Sequence, residues 1–247
     1  MFKLCFSIAE SGTCSDAKWK VIDHNWFSKI EISSLARGLS KAQQEITAQG
    51  NSASIYSVDV ADAQAVENCI QDIVAQHKRI DILFNNAGIF EPGTIETSIE
   101  HIEKVININL LGAMYVAKFV ALQMKKQRSG YIFNVSSMSG KRAFPRYGVY
   151  AASKFGLVGY GEALLKELVA YGVKVTNLCP SFVATDMVKG FELPANQMIQ
   201  THDICKVVQC LLNLSATVAI PEIQFFCAPY VVKEVQARAT LLSQKED

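Results

Sequence analysis

Two kinds of apolar pattern alternate along the chain. Short, largely apolar runs occur at Met1–Ala9, Glu31–Arg37, Ser54–Val60, Ile80–Asn85, Tyr131–Val135, Val173–Cys179 and Ile223–Phe226. Each has the length of a strand and reads as one. Between them lie stretches whose apolar side chains recur at helical spacing. Behind the capping residue Asp62 come Val66, Cys69, Ile70, Ile73 and Val74, and Ser40 with Gln43 makes a capping box for another helix. Ser98–Gln127 carries Ile102, Val105, Ile106, Leu110 and Val116 as one long helix, straight or bent. Tyr150–Tyr171 is another, stopped at Gly172, and a last one holds Ile204, Val207, Val208, Leu211 and Leu212. Strand and helix in alternation predict an α/β fold, a doubly wound parallel sheet with helices on both faces. Thr185–Thr201 keeps neither period. Its Met187, Phe191, Leu193, Met198 and Ile199 make it a half-buried connection or a lid. The residues after Val235 are polar and are expected to fray.

Composition narrows this picture. Residues 1–247 fit one domain, and with 50% apolar residues the chain has enough to bury a sheet. A net charge of +1 with no basic run excludes nucleic acid as an expected partner. Seven cysteines without a C-x-x-C pair read as reduced thiols in a cytoplasmic protein. The four histidines, at 24, 77, 101 and 202, have no metal-ligand spacing, so no metal site is expected. The apolar start is too short for a secretory core, and Glu10 interrupts it. No stretch reaches the ~18 uninterrupted apolar residues of a membrane span.

Candidate chemistry starts from Tyr150 and Lys154, which bracket Tyr-Ala-Ala-Ser-Lys on one face of a helix. Ser137 lies thirteen residues upstream, just past Tyr131–Val135. A phenol of pKa ~10 is a poor acid or base at neutral pH. An ammonium beside it favours the phenolate, and a serine hydroxyl can hydrogen-bond an oxygen on which charge develops. The set suits interconversion of a ketone and a secondary alcohol. Tyrosine and lysine four apart are common on solvated helices, so the surrounding motifs decide the matter.

Those motifs come in order. Asn85-Asn86-Ala87-Gly88 closes one strand, and Asn109-Leu110-Leu111-Gly112 lies in the long helix. Val135-Ser136-Ser137 leads to Gly140, and Pro180-Ser181-Phe182-Val183-Ala184-Thr185-Asp186 closes a further strand. At these residues, from roughly Glu31 to Phe226, the chain resembles the short-chain dehydrogenase/reductase family in its single-domain form. The resemblance implies a Rossmann-like fold and an oxidoreductase that uses a nicotinamide cofactor. It implies that Tyr150 is the general acid in reduction and the base in oxidation. Lys154 would lower the Tyr150 pKa and bind the nicotinamide ribose, and Ser137 would polarise the carbonyl. Asn109 would hold a water that links Lys154 to solvent; a helix irregularity with the side chain bonding backbone is its plainer role. Residues of about 186–201 would cover a small-molecule substrate, and their apolar side chains favour a hydrophobic one. The family also implies a homodimer or homotetramer.

Cofactor positions carry over unevenly. Asp59 and Val60 match the adenine-binding pair, although Asp59 is equally turn chemistry. Asn85, Ala87 and Gly88 match the turn under the cofactor ribose, and Thr185, after Pro180, matches the hydroxyl that contacts the nicotinamide amide. The glycine-rich turn is degenerate: of three glycines only Gly12 stands in Ser7–Cys14, with Ile8, Glu10 and Cys14 acting against a pyrophosphate. Residues 1–30 are therefore divergent, through remodelling or through a shifted reading frame. Arg37 stands where NAD-preferring relatives place Asp, which favours NADP over NAD, although a solvated Arg has the same appearance.

The leading reading is an NADP-dependent carbonyl reductase or alcohol dehydrogenase. A catalytically silent scaffold of the same fold is the rival, motivated by the glycine turn. An epimerase or dehydratase is a third. Lys125, Lys126 and Arg128 resemble the basic turn of reductases that act on carrier-bound acyl chains, with Tyr171 where those often have a second Arg. A solvated basic turn is the plainer reading. Replacement Arg37→Ala is expected to weaken NADPH about 10- to 100-fold and NADH little, since one charge-assisted contact is lost. Calorimetric titration measures both, and an equal loss for both cofactors refutes the phosphate pairing.

Overall fold

The structure is a computed structural model that describes residues 2–7, 30–35, 44, 47–48, 52–188 and 190–243. The Ser7–Cys14 turn beyond Ser7, Gly12, Arg37 and the Ser40–Gln43 capping box lie outside the described residues. Seven parallel strands form one sheet, β1 (Phe2–Ser7), β2 (Ile30–Leu35), β3 (Ser52–Tyr56), β4 (Ile82–Asn85), β5 (Gly130–Val135), β6 (Val173–Pro180) and β7 (Glu222–Phe225). Their order is β3-β2-β1-β4-β5-β6-β7, so the chain reverses direction of travel between β1 and β4. This is the expected doubly wound sheet. β3 ends earlier than the apolar run to Val60 suggests, because Asp59 turns the chain: its Oδ1 accepts from Ala61 N at 3.0 Å.

Alternate side chains face opposite sides of the sheet. Leu83, Ile132, Val173 and Val175 pack under helices α1 (Ala63–His77), α3 (Ala113–Gln127) and α4 (Gly148–Leu168). Ile82, Tyr131, Phe133 and Leu178 pack on the other side against α5 (Thr201–Asn213). The helices begin where their sequence says. Asp62 accepts from Gln64 N and Ala65 N, and Ser98 Oγ accepts from His101 N. Gly172 adopts φ 71° after a short 3-10 turn (Val169–Tyr171), the left-handed stop expected of it.

The long helical segment proves continuous from α2 (Ile99–Ile106) to α3, with a π turn at Asn107–Gly112 between them. By length and composition alone this 29-residue run could cross a membrane, which the reading of uninterrupted apolar length did not flag. Its Val116, Ala117, Val120 and Met124 are fully buried against the sheet, as in a core helix. The end of the chain also differs from expectation. Ala228–Ser243 is helix α6, whose Pro229 sits in the first turn, where no amide is needed. Tyr230 anchors it, with its ring 4.6 Å from that of Phe182.

A row of asparagines crosses the sheet beneath α3 and α4. Asn85 Nδ2 donates to Ala113 O (2.8 Å) and to Asn134 Oδ1 (3.2 Å). Asn134 Nδ2 donates to Asn177 Oδ1 (3.3 Å), and Asn177 Nδ2 to Val158 O (3.1 Å). All three are at most 1% exposed. Gly161 makes room for this row: a Cβ there would stand 2.1 Å from Asn177 Oδ1. Gly159, two residues away, has nothing within 4 Å of its Cβ position. Helix propensity favours Ala over Gly by ~1 kcal/mol at both. At 161 the forced overlap costs about 1–3 kcal/mol and wins. Gly159→Ala should therefore raise the urea midpoint and Gly161→Ala lower it; equal shifts in one direction would contradict the packing argument.

Candidate active site at the carboxyl edge of the sheet

The parallel register aligns Asn85, Asn134 and Asn177 near the carboxyl ends of β4, β5 and β6. In open α/β sheets the crevice beyond this edge, at the reversal of strand order, is where ligands bind. Ser137 lies two residues past β5 in extended conformation, and its Oγ accepts from Ser139 N (3.0 Å) to start a 3-10 turn. Tyr150 and Lys154 project from the first turns of α4. The two elements are locked together at Lys154: Ser136 Oγ donates to its carbonyl at 3.0 Å. A Cβ on Gly140 would stand 2.7 Å from the same oxygen. That close approach sets Ser137 against Tyr150.

Tyr150 is 6% exposed and Lys154 4%. Burial pushes the Tyr150 phenol up to about 12, and a hydrogen bond from Ser137 opposes the rise. Lys154 Nζ lies 5.7 Å from the Tyr150 ring centre and donates to Val135 O at 3.0 Å. Burial pulls its ammonium down to about 8. The Cys179 thiol beside it is itself pushed up to about 12, chiefly by burial, so it stays neutral near pH 7 and brings no counter-charge. In the protein alone, desolvation is the largest influence on both groups.

Asn109 belongs to the π turn and is fully buried. Its Oδ1 accepts from Ile89 N (2.7 Å), while Nδ2 donates to Ile89 O (2.9 Å) and Ser153 Oγ (3.3 Å). The helix irregularity and the side chain bonding backbone were the plainer of its two roles. The segment after Gly88 is thereby fixed to the long helix.

A sequence model of the short chain dehydrogenase family matches residues 23–195. The chain belongs to the short-chain dehydrogenase family. A 3-oxoacyl-acyl-carrier-protein reductase of Synechocystis sp. is 38% identical over 144 residues, 58% of each protein. The chain thus spans less than two thirds of that relative. The human 3-oxoacyl-acyl-carrier-protein reductase is 32% identical over 187 residues, 72% of this chain and 79% of its own. The crystal structure of a beta-ketoacyl-carrier-protein reductase from Bacteroides thetaiotaomicron superposes with a TM-score of 0.75 at 31% identity, covering 91% of this chain and 97% of that one.

In this short-chain dehydrogenase the expected cofactor positions divide into two groups. Gly88 lies beside Asn109 and Lys154: a Cβ there would stand 3.4 Å from both Asn109 Oδ1 and Lys154 Nζ. Ala87 and Pro180 are buried beside this turn and at the end of β6, and Thr185 is exposed with its hydroxyl turned to Val183 O (3.4 Å). Asn85, expected under a ribose, instead spends its amide inside the sheet. Val60 is 4% exposed and packs on Gly112, where a Cβ would lie 2.9 Å from it. Asp59 is built into its turn, the alternative held open for it.

The segment expected to be a connection or a lid closes on itself. Val183 pairs with Ile199; Ala184 N donates to Ile199 O and Ile199 N to Phe182 O. Leu193 and Met198 are buried with Cys227. Phe191 reaches the site, 5.8 Å from the Phe90 ring, and Phe90 meets Tyr150 edge-on at 4.9 Å. Sequence reasoning missed Phe90; its place two residues past Gly88 was the one available signal. The basic turn is a capped helix end with Lys125 4.3 Å above the Tyr171 ring and Arg128 at 5.7 Å. No cluster of three metal-binding side chains occurs among the described residues.

The shifted groups have a pH signature. From about pH 8 to 10.5 the unfolded chain keeps a Lys154 proton that the folded chain has lost, so stability rises with pH there. From about 10 to 12 the folded Tyr150 keeps a proton that the unfolded chain loses, so stability falls. Measured against Lys154→Met, the wild type should gain about 2 kcal/mol between pH 8 and 10 in urea unfolding. A flat difference over that range would mean that Lys154 is not desolvated.

Proposed function

We propose that this short-chain dehydrogenase interconverts a ketone and a secondary alcohol with NADP(H), and that residues 1–247 work as one domain. The arrangement that supports the reading is Ser137 beside the buried Tyr150 phenol, with Lys154 Nζ 5.7 Å from the ring centre, in a dry corner at the sheet edge. A phenol held near 12 is fully protonated at neutral pH, and it gives its proton to the carbonyl oxygen as negative charge develops there. Ser137 donates to the same oxygen and holds it in line with the phenol. In the oxidising direction Tyr150 must first lose its proton, and the nearby ammonium stabilises the phenolate that results. Proton return runs toward Lys154, with Asn109, whose Oδ1 accepts one bond from Ile89 N and can take a second, holding the connecting water.

The residues fit the nicotinamide end of a dinucleotide. Lys154 has three donors and gives one to Val135, which leaves two for ribose hydroxyls. Gly88 offers bare backbone beside them. The cofactor, when bound, supplies the hydride. The choice of NADP rests on Arg37 alone. Five cysteines among the described residues are free thiols, which supports a reducing, cytoplasmic setting. The silent-scaffold reading keeps one argument, the loss of glycines around Gly12.

Calorimetric titration with NADPH separates the two: binding in the micromolar range supports the enzyme, and no binding of either cofactor supports the scaffold. Tyr150→Phe should lower kcat for ketone reduction about 10²- to 10⁴-fold while NADPH affinity stays within a few-fold. A variant with near-normal kcat would remove Tyr150 from its role.

A further inference from the structure

Tyr150 is buried by rings. Phe90 stands edge-on to it, with 86° between the planes, and is flanked by Tyr147 at 5.2 Å and Phe191 at 5.8 Å. Contact then passes from Phe191 to Phe182 (5.3 Å) and from Phe182 to Tyr230 of α6 (4.6 Å). The rings come from four parts of the chain, and apart from Tyr150 all are half-buried. A carbonyl oxygen must come within ~3 Å of the phenol to take its proton, which brings the group on its carbon up against these rings.

The two rings nearest the site are held very differently. Phe90 is fixed from both sides. Both backbone groups of Ile89 bond to Asn109, and Glu91 is gripped by His101 Nδ1 (2.8 Å) and Lys104 Nζ (2.7 Å). Gly93, a little further on, bonds to Arg146 O and accepts from Val149 N. Phe191 follows Gly190, whose φ of 94° has nothing within 4 Å of its Cβ position, and precedes exposed Glu192. Phe191 is thus the more lightly anchored of the two.

Resting on the reading of Tyr150 as proton donor, we infer that the substrate carries a flat apolar ring next to its carbonyl, which replaces the ring of Phe191 against Phe90. A ring exchanged for a ring keeps the edge and offset contacts of the stack, whereas a slender alkyl chain loses them. The substrate class is therefore aryl or similarly ring-bearing ketones, rather than unbranched acyl chains.

The test compares NADPH-dependent reduction of acetophenone with that of octan-2-one, which has the same number of carbons, by the full chain and by Phe90→Leu and Phe191→Leu. Acetophenone should have the higher kcat/KM by about tenfold. Phe90→Leu should bring the two ketones within about threefold. Phe191→Leu should lower the KM for acetophenone, because the substrate ring no longer competes with the side chain. Equal kcat/KM in the wild type, or a KM raised by both variants alike, overturns the inference. Should the wild type reduce neither ketone, the proton-donor reading fails, and saturation-transfer NMR decides the ring site by itself. Binding that favours acetophenone and is lost in Phe90→Leu sustains the inference; binding without preference ends it.

Discussion

The hydrogen-bonded row Asn85–Asn134–Asn177 is the constraint from which the site geometry follows. It joins three neighbouring strands edge to edge and ends on carbonyls of α3 and α4. Buried amides of this kind are costly when unpaired and strongly directional when paired. Because the row is bonded along its length, it fixes how high each helix sits above the sheet, and α4 carries both Tyr150 and Lys154. Gly161 belongs to the same arrangement, since a side chain there would push α4 off Asn177. Tyr150 and Lys154 are thus placed by a polar contact, while apolar packing supplies most of the stability.

Dryness at that corner has opposite effects on its two titrating groups. It makes the phenol harder to ionise and the ammonium easier to discharge, so each keeps or loses a proton against its habit in water. A resting pair of this kind suits the proposed carbonyl reduction, which needs the protonated phenol. The reverse reaction depends on charge brought close to Lys154 from outside the protein's own side chains, since the neutral Cys179 thiol provides none.

Much of this was legible in the sequence because the signals were local. The caps at Asp62 and Ser98, the stop at Gly172 and the alternation of apolar runs gave the order of elements. The spacing of Ser137, Tyr150 and Lys154 showed that these three side chains would meet. What stayed hidden depended on contacts between distant segments. Asn85 looked like a ligand residue, and only the neighbouring strands reveal where its amide goes. Phe90 carries no periodic signal, and its importance comes from Phe191, about a hundred positions away. The C-terminal helix was hidden by its polar residues and by Pro229, which is harmless in a first turn but reads as a breaker in isolation. The π turn at Asn107–Gly112 fell inside an otherwise regular helical pattern.

The pair of hydrogen bonds between Asn109 and Ile89 divides the molecule into parts of unequal cooperativity. Asn109 is fully buried and bonded to a strand-end segment twenty residues away, so separating them means breaking the central sheet open. The floor of the site therefore belongs to the last unit of the protein to unfold. The segment around Gly190 and Phe191 is held mainly by ring contacts and short turns, and it belongs with the first. A site with a permanent floor and a low-stability roof can admit and release molecules many times without loosening the groups that do the chemistry.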